Sequence, residues 1–263
     1  MKRYFLIVAY DGTAFHGSQI QGTQKTIQLS LNQALSTLLR QEIETFGASR
    51  TDEGVHALGN VYHFDYAGVL HPQLQYKLNA LLPHEIAVVG LLQSDNPEFN
   101  ARFDALSRTY RYKIYQHKNP FKKGRALFYP YPIQLANLQK TASALKDFTN
   151  FESFSKRNTQ SYTFNCTIFQ SYWEMNNDEL HYVVEANRFL RGMVRALVGT
   201  QLKLMKTKDP EQELLNIINS KDCNLADFSV TGNGLYLESV NYPVDSLKKI
   251  DKDQQAALIK INK

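Results

Sequence analysis

The chain of 263 residues carries a net charge of +5, with 43% hydrophobic and 21% charged residues. That balance supplies a packed core and excludes a disordered chain, while the mild basicity by itself favours a polyanionic partner only weakly. Its two cysteines, Cys166 and Cys223, fit no disulfide framework and no metal spacing, and no apolar run reaches the roughly 20 residues of a membrane helix. A soluble cytoplasmic protein with no membrane contact is therefore expected.

Arg3 to Tyr10 is rich in β-branched and aromatic residues and closes on Asp11-Gly12. It reads as a strand ending in a turn, not as a signal peptide, because no small-residue cleavage site follows. Thr26 is placed to cap a helix with apolar positions Ile27, Leu31, Ala34, Leu35 and Leu38 at helical spacing. Strands are expected over Glu42–Phe46 and Asn60–Tyr66, a short helix over Leu74–Leu82, and a strand over Ile86–Leu92. Thr109–Gln116 alternates as a strand, with Tyr110, Tyr112 and Ile114 on one face. Leu135, Leu138, Ala142 and Leu145 mark a helix. Cys166–Glu174 and Leu180–Ala186 read as a strand pair across Asn176-Asn177-Asp178. A helix from about Arg191 to Met205 and a strand over Leu235–Asn241 follow, and the Lys- and Gln-rich tail from Lys248 reads as a solvated end. Strands and helices mix in both halves, so the class is α+β. No internal repeat is visible. A boundary near residue 105 separates residues 1–105 from residues 106–263.

The segment Gly47-Ala48-Ser49-Arg50-Thr51-Asp52-Glu53-Gly54-Val55-His56-Ala57 stands out from this background. It sets a carboxylate between glycines just after an expected strand, two residues beyond an arginine. Physics alone reads this as a tight turn or a helix cap. The segment resembles the signature of the TruA family of tRNA pseudouridine synthases, Gly-Ala-Gly-Arg-Thr-Asp-Ala-Gly-Val-His-Ala, at nine of eleven positions. Ser49 and Glu53 depart from it. Companion segments occur in the family's order. They are Ala9-Tyr10-Asp11-Gly12-Thr13 with Gly17-Ser18-Gln19, Arg108-Thr109-Tyr110-Arg111-Tyr112, Phe189 with Met193-Val194-Arg195, and Gly234-Leu235-Tyr236-Leu237. Ser18 stands where the family usually has Trp, and Thr231-Gly232 where it has Ala-Pro.

The resemblance implies a pseudouridine synthase fold: two similar sheet-plus-helices domains forming a largely antiparallel mixed sheet with a central cleft. It implies isomerisation of uridine to pseudouridine at nucleotides 38, 39 and 40 of the tRNA anticodon stem-loop, by a homodimer. Such a reaction breaks a glycosidic carbon–nitrogen bond and rejoins ribose to carbon 5 of the same base, so it requires no cofactor and no metal. By resemblance Asp52 is the nucleophile, Arg195 its counter-charge, Tyr110 a stacking partner for uracil ahead of a base that takes the proton from carbon 5, and Leu235 the apolar wall. Arg50 is suited to enter the space an extruded base leaves, or to hold the backbone. Burial under a base opposes ionisation of a carboxylate and a neighbouring arginine favours it. Glu53 adds a charge that would repel RNA phosphate beside the nucleophile. Lys122-Lys123-Arg125, Lys156-Arg157 and Arg188-Arg191 could track phosphates. Two rivals are a catalytically silent RNA-binding relative and a metal-dependent nuclease using Asp52, Glu53 and Asp11.

Overall fold

The computed structural model describes residues 1–157 and 162–250. The chain runs β1 (Lys2–Tyr10), α1 (Ile27–Leu39), β2 (Phe46–Gly47), β3 (His56–Tyr66), α2 (Leu74–Leu81) and β4 (Ile86–Ser94). It continues through β5 (Ser107–Tyr115), β6 (Leu127–Phe128), α3 (Leu135–Ala144), β7 (Ile168–Asn176), β8 (Glu179–Ala186), α4 (Met193–Leu204) and α5 (Pro210–Ser220). It closes with β9 (Leu235–Asn241) and β10 (Lys248–Lys249). The class is mixed α+β and its strand pairing is mostly antiparallel.

Two compact units divide the chain. One joins Met1–Leu106 with the described residues from Leu237 onward, and the other is Ser107–Tyr236. In the first unit β1 is the central strand, antiparallel to β3 on one side and to β4 on the other. That position explains its nearly unbroken apolar run, since both edges and most of both faces lie inside. Phe5 packs with Ala48, Val61, Phe99 and Ala101, and Val240, Tyr242 and Leu247 close over the same cluster. The Tyr242 hydroxyl donates to the Ala101 carbonyl at 2.6 Å. This apolar and polar fastening draws the chain after Leu237 into the first unit, although its place in the sequence groups it with the second half. Lys248 and Lys249 add a short antiparallel strand to β4, and the remainder of the expected solvated tail lies outside the described residues.

Thr26 caps α1 as its sequence suggests, its hydroxyl accepting the Leu29 amide at 3.3 Å. The strand expected over Glu42–Phe46 is confined to Phe46–Gly47. The reason lies in α1. Ser36 accepts the Ile43 amide, Asn32 accepts the Thr45 amide, and Gln28 donates to the Thr45 carbonyl. A polar stripe at four-residue spacing thus satisfies the backbone that a strand would otherwise pair. Strand β3 starts at His56, four residues before the expected Asn60, because Tyr10 still finds Ala57 opposite it.

In the second unit β5, β8 and β7 form an antiparallel set, with β6 parallel to β5. Asn177 takes a left-handed φ of 53° at the β7–β8 turn. Buried Gln201 on α4 ties this unit together. Its carbonyl oxygen accepts the Trp173 indole N–H at 2.9 Å and the Thr141 hydroxyl at 3.3 Å. Helix α5 was not anticipated, although Asp209 as N-cap, Pro210 in the first turn, and Leu214, Ile217 and Ile218 at helical spacing announce it. Both cysteines are free thiols, Cys166 buried and Cys223 half-buried. Among the described residues no helix is long and apolar enough to cross a membrane.

Candidate active site

The Asp52 loop is built by side chains reaching in from β1, β3 and the turn after β1. Ala48 still donates to the Val61 carbonyl at 2.7 Å, as a continuation of β2 would. From Ser49 on, side chains replace the ladder. Asn60, fully buried, accepts the Ser49 amide at 3.3 Å and donates to the Ser49 carbonyl at 3.1 Å. The same amide nitrogen lies 3.2 Å from the Tyr10 and Tyr62 hydroxyls. The Tyr10 hydroxyl meets the Thr51 hydroxyl at 2.9 Å. Ser18 grips Thr51 from the other side: its hydroxyl accepts the Thr51 amide at 2.8 Å and its own amide donates to the Thr51 carbonyl at 3.0 Å. Every backbone polar group of Ser49 and Thr51 is thereby satisfied without a strand partner.

Burial pushes the Tyr10 phenol up to about 12, against the opposing hydrogen bonds from Thr51 and Asn60. Burial raises Tyr62 as well. Both hydroxyls are therefore neutral at physiological pH, and the network around Thr51 is held by dipoles alone. The sequence marks Ser18 only as a departure from the family pattern. In the structure it is a buried residue that shapes the backbone immediately before Asp52.

After Asp52 the chain turns back, with the Val55 amide donating to the Asp52 carbonyl at 3.2 Å and Gly54 at a left-handed φ of 75°. Gly12 fits against this turn with no room to spare, since a Cβ there would lie 2.0 Å from the Val55 carbonyl oxygen. His56 is buried, and its Nδ1 accepts the Gly12 amide at 3.2 Å. That is a structural role. The result is a fixed loop on which Asp52 is half-buried while its neighbours Arg50 and Glu53 are exposed. Glu53 lies 3.7 Å from His16 Nδ1 at the surface. Among the described residues no group of three or more His, Cys, Asp or Glu is arranged to hold a metal ion, and Asp11 instead accepts the Thr13 amide and hydroxyl.

Tyr110, Arg195 and Leu235 all belong to the second unit. Arg195, half-buried on α4, donates from Nε to the Val230 carbonyl at 2.7 Å and from a terminal nitrogen to Phe228 at 3.4 Å. A guanidinium held by two carbonyls has its plane fixed, which a solvent-facing arginine lacks. Tyr112, one pleat along from Tyr110, fastens the same segment by donating to the Thr231 carbonyl at 2.8 Å. Burial drives its phenol up to about 12, although that bond and the Arg195 charge oppose the shift. The Thr231-Gly232 departure therefore sits in a segment clamped by Arg195 and Tyr112. Tyr110 meets Phe189 edge-on, with ring centroids 5.0 Å apart, and is only 8% exposed. Leu235 is buried at the start of β9. Of the basic clusters, Lys122 is already engaged by Asp178 at 2.6 Å and Glu179 at 3.2 Å.

Comparison with known proteins places this geometry. Residues 145–243 match a family model described as tRNA pseudouridine synthase. The tRNA pseudouridine synthase A of Bacteroides thetaiotaomicron is 40% identical over 249 residues, covering 93% of this chain and 92% of that protein. The chain belongs to the tRNA pseudouridine synthase A family. The relative of the same name from Bacteroides fragilis is 40% identical, over 92% of this chain and 97% of its own. The one from Staphylococcus aureus is 31% identical, over 94% and 93%. Membership makes the chain an enzyme, an isomerase of the pseudouridine synthase class, and it covers the loop that carries Asp52 as well as the α4 segment that carries Arg195.

Proposed function

We propose that this enzyme isomerises uridine to pseudouridine in the anticodon stem-loop of tRNA, at nucleotides 38, 39 and 40, with Asp52 as nucleophile. The observation that carries the reading is the Asp52 loop itself. A half-buried carboxylate stands on a backbone whose preceding residues are locked by Asn60, Tyr10 and Ser18. A nucleophile must be held within a fraction of an ångström of the reacting carbon, and a loop fastened on both sides meets that need.

The glycosidic bond from ribose to nitrogen 1 of uracil breaks, the base turns, and a bond forms from ribose to carbon 5. The hydrogen on carbon 5 leaves to solvent and nitrogen 1 gains one, so the reaction balances without a cofactor. In this proposal Arg195 supplies the counter-charge that keeps Asp52 ionised under a base. At contact distance and an effective dielectric of about 20, such a pair is worth roughly 4 kcal/mol before desolvation. Tyr110 and Leu235 wall the uracil, and Arg50 holds the strand from which the base is extruded. The enzyme acts in the cytoplasm, as a homodimer.

The test is tritium release from tRNA labelled at carbon 5 of uridine, with mapping of the modified nucleotides. Release that survives EDTA and vanishes in Asp52→Ala is expected. No release from any tRNA transcript would overturn the reading. Cleaved RNA and loss of activity in EDTA would point to the nuclease instead.

A further inference from the structure

A groove of about 180 Å³ opens in the first unit beside the Asp52 loop, lined among others by Arg50, Phe46, Tyr62, Arg102 and Phe103. It is smaller than the roughly 300–1,000 Å³ that take a drug-sized molecule, and matches a single flat ring. Two of its aromatics are presented to solvent: Phe103 is 78% exposed and Phe46 48%. Neither is loose. Phe46 stacks on buried His63, with centroids 5.2 Å apart and planes 25° from parallel. The loop bearing Phe103 is pinned from several sides. Asn100 accepts the amides of Arg102 and Phe103 at 2.9 and 3.3 Å, and Asp104 accepts the Asn100 amide at 2.6 Å. Ala101 is anchored in the core, its amide donating to His63 Nδ1 at 3.2 Å and its carbonyl accepting the Tyr242 hydroxyl. The Arg102 guanidinium lies 5.5 Å from the Phe103 ring.

A rigid backbone that holds an aromatic ring out in water does nothing for the core. It fits a surface that stacks a flat partner. Two exposed arginines, Arg50 and Arg102, line the groove, and their positive charge suits a flat partner that carries an anionic group. We infer that this groove binds a nucleotide flanking the target uridine, its base against Phe103 and Phe46 and its phosphate on Arg102 and Arg50. The inference rests on the tRNA reading above and adds to it a second base-binding position, two residues along the loop from the nucleophile. Aromatic stacking and an arginine plane are sequence-tolerant, so the site adds affinity and register and leaves base identity unread.

The experiment is equilibrium binding of tRNA anticodon stem-loops carrying one abasic nucleotide at each position around the target. Wild-type protein should lose about 10-fold in affinity at one flanking position, whereas Phe103→Ala should bind intact and abasic RNA alike. Phe103→Tyr should restore the wild-type difference, and Arg102→Gln should lower the slope of log affinity against log salt by about one. The inference falls if Phe103→Ala keeps the wild-type abasic profile, or if Arg102→Gln keeps the wild-type salt slope. Phe103 is exposed, so its substitutions leave the fold intact. Turnover of the wild-type enzyme is scored separately by tritium release, so a failure of the groove and a failure of the tRNA reading give different results.

Discussion

The two regions that carry the proposed chemistry are built on opposite principles. The Asp52 loop has no regular structure, and its shape comes from buried polar side chains and one glycine pressed against a carbonyl. The Tyr110–Arg195 region sits on a strand and a helix, where periodic backbone bonds do the holding and polar side chains only fasten the adjoining segment 228–231. The contrast teaches where precision costs most. A loop must satisfy each backbone group individually, so single substitutions there act on shape, while the same change on a helix or strand is absorbed by its neighbours.

The sharpest break of that comparison is at the proposed nucleophile. Asp52→Asn should lower single-turnover tritium release by about 10⁴-fold or more, with unfolding free energy within about 1 kcal/mol of wild type. Activity that survives would remove the loop's chemical role altogether. Gly12→Ala comes next. A methyl cannot fit 2.0 Å from the Val55 oxygen, so the loop must move, with a loss of about 4 kcal/mol in urea unfolding and of most activity. Asn60→Ala removes a fully buried side chain that bonds Ser49 twice and two tyrosines. A loss of about 3 kcal/mol is expected, with kcat falling more than KM rises.

A pH dependence follows from His63, which burial, reinforced by the Arg3 charge, lowers to about 4. Between that value and the ordinary 6.5 the unfolded chain binds a proton that the folded chain refuses, so stability rises with pH across this window and is complete above it. Urea unfolding should lose about 2 kcal/mol on acidification from pH 6.5 to 4.5, and a buried histidine with its Nδ1 accepting the Ala101 amide is the reason. The smallest effect is expected in the second unit. Tyr112→Phe deletes one hydrogen bond to Thr231 and should cost about 1 kcal/mol by the same measurement. A larger loss there than at Asn60 would overturn the contrast between loop and regular element.

Much of the regular structure was legible beforehand. The alternation of β5, the capped amphipathic α1 and the β7–β8 pair follow from periodicity and turn chemistry, which are local. Helix α5 carries the same local signals at Asp209 and Pro210. The strand expected over Glu42–Phe46 failed for a non-local reason. Its backbone groups were claimed by Ser36, Asn32 and Gln28 of a helix, and a window of β-prone residues contains no trace of that competition.

By itself the sequence determined the class, most elements, the family and the motif in which the proposed nucleophile Asp52 stands, because motif and periodicity are written in neighbouring residues. Only the tertiary structure decided how the Asp52 loop is held. Ser18, Tyr10 and Asn60 lie 33, 41 and 11 residues from the loop residues they bind, so no local pattern could single them out. The same holds for Tyr242, which reaches back 141 residues to Ala101 and draws the chain after Leu237 into the first unit. Hydrogen bonds of a buried loop are non-local by necessity, since a loop has no neighbouring turn or strand of its own to pair with.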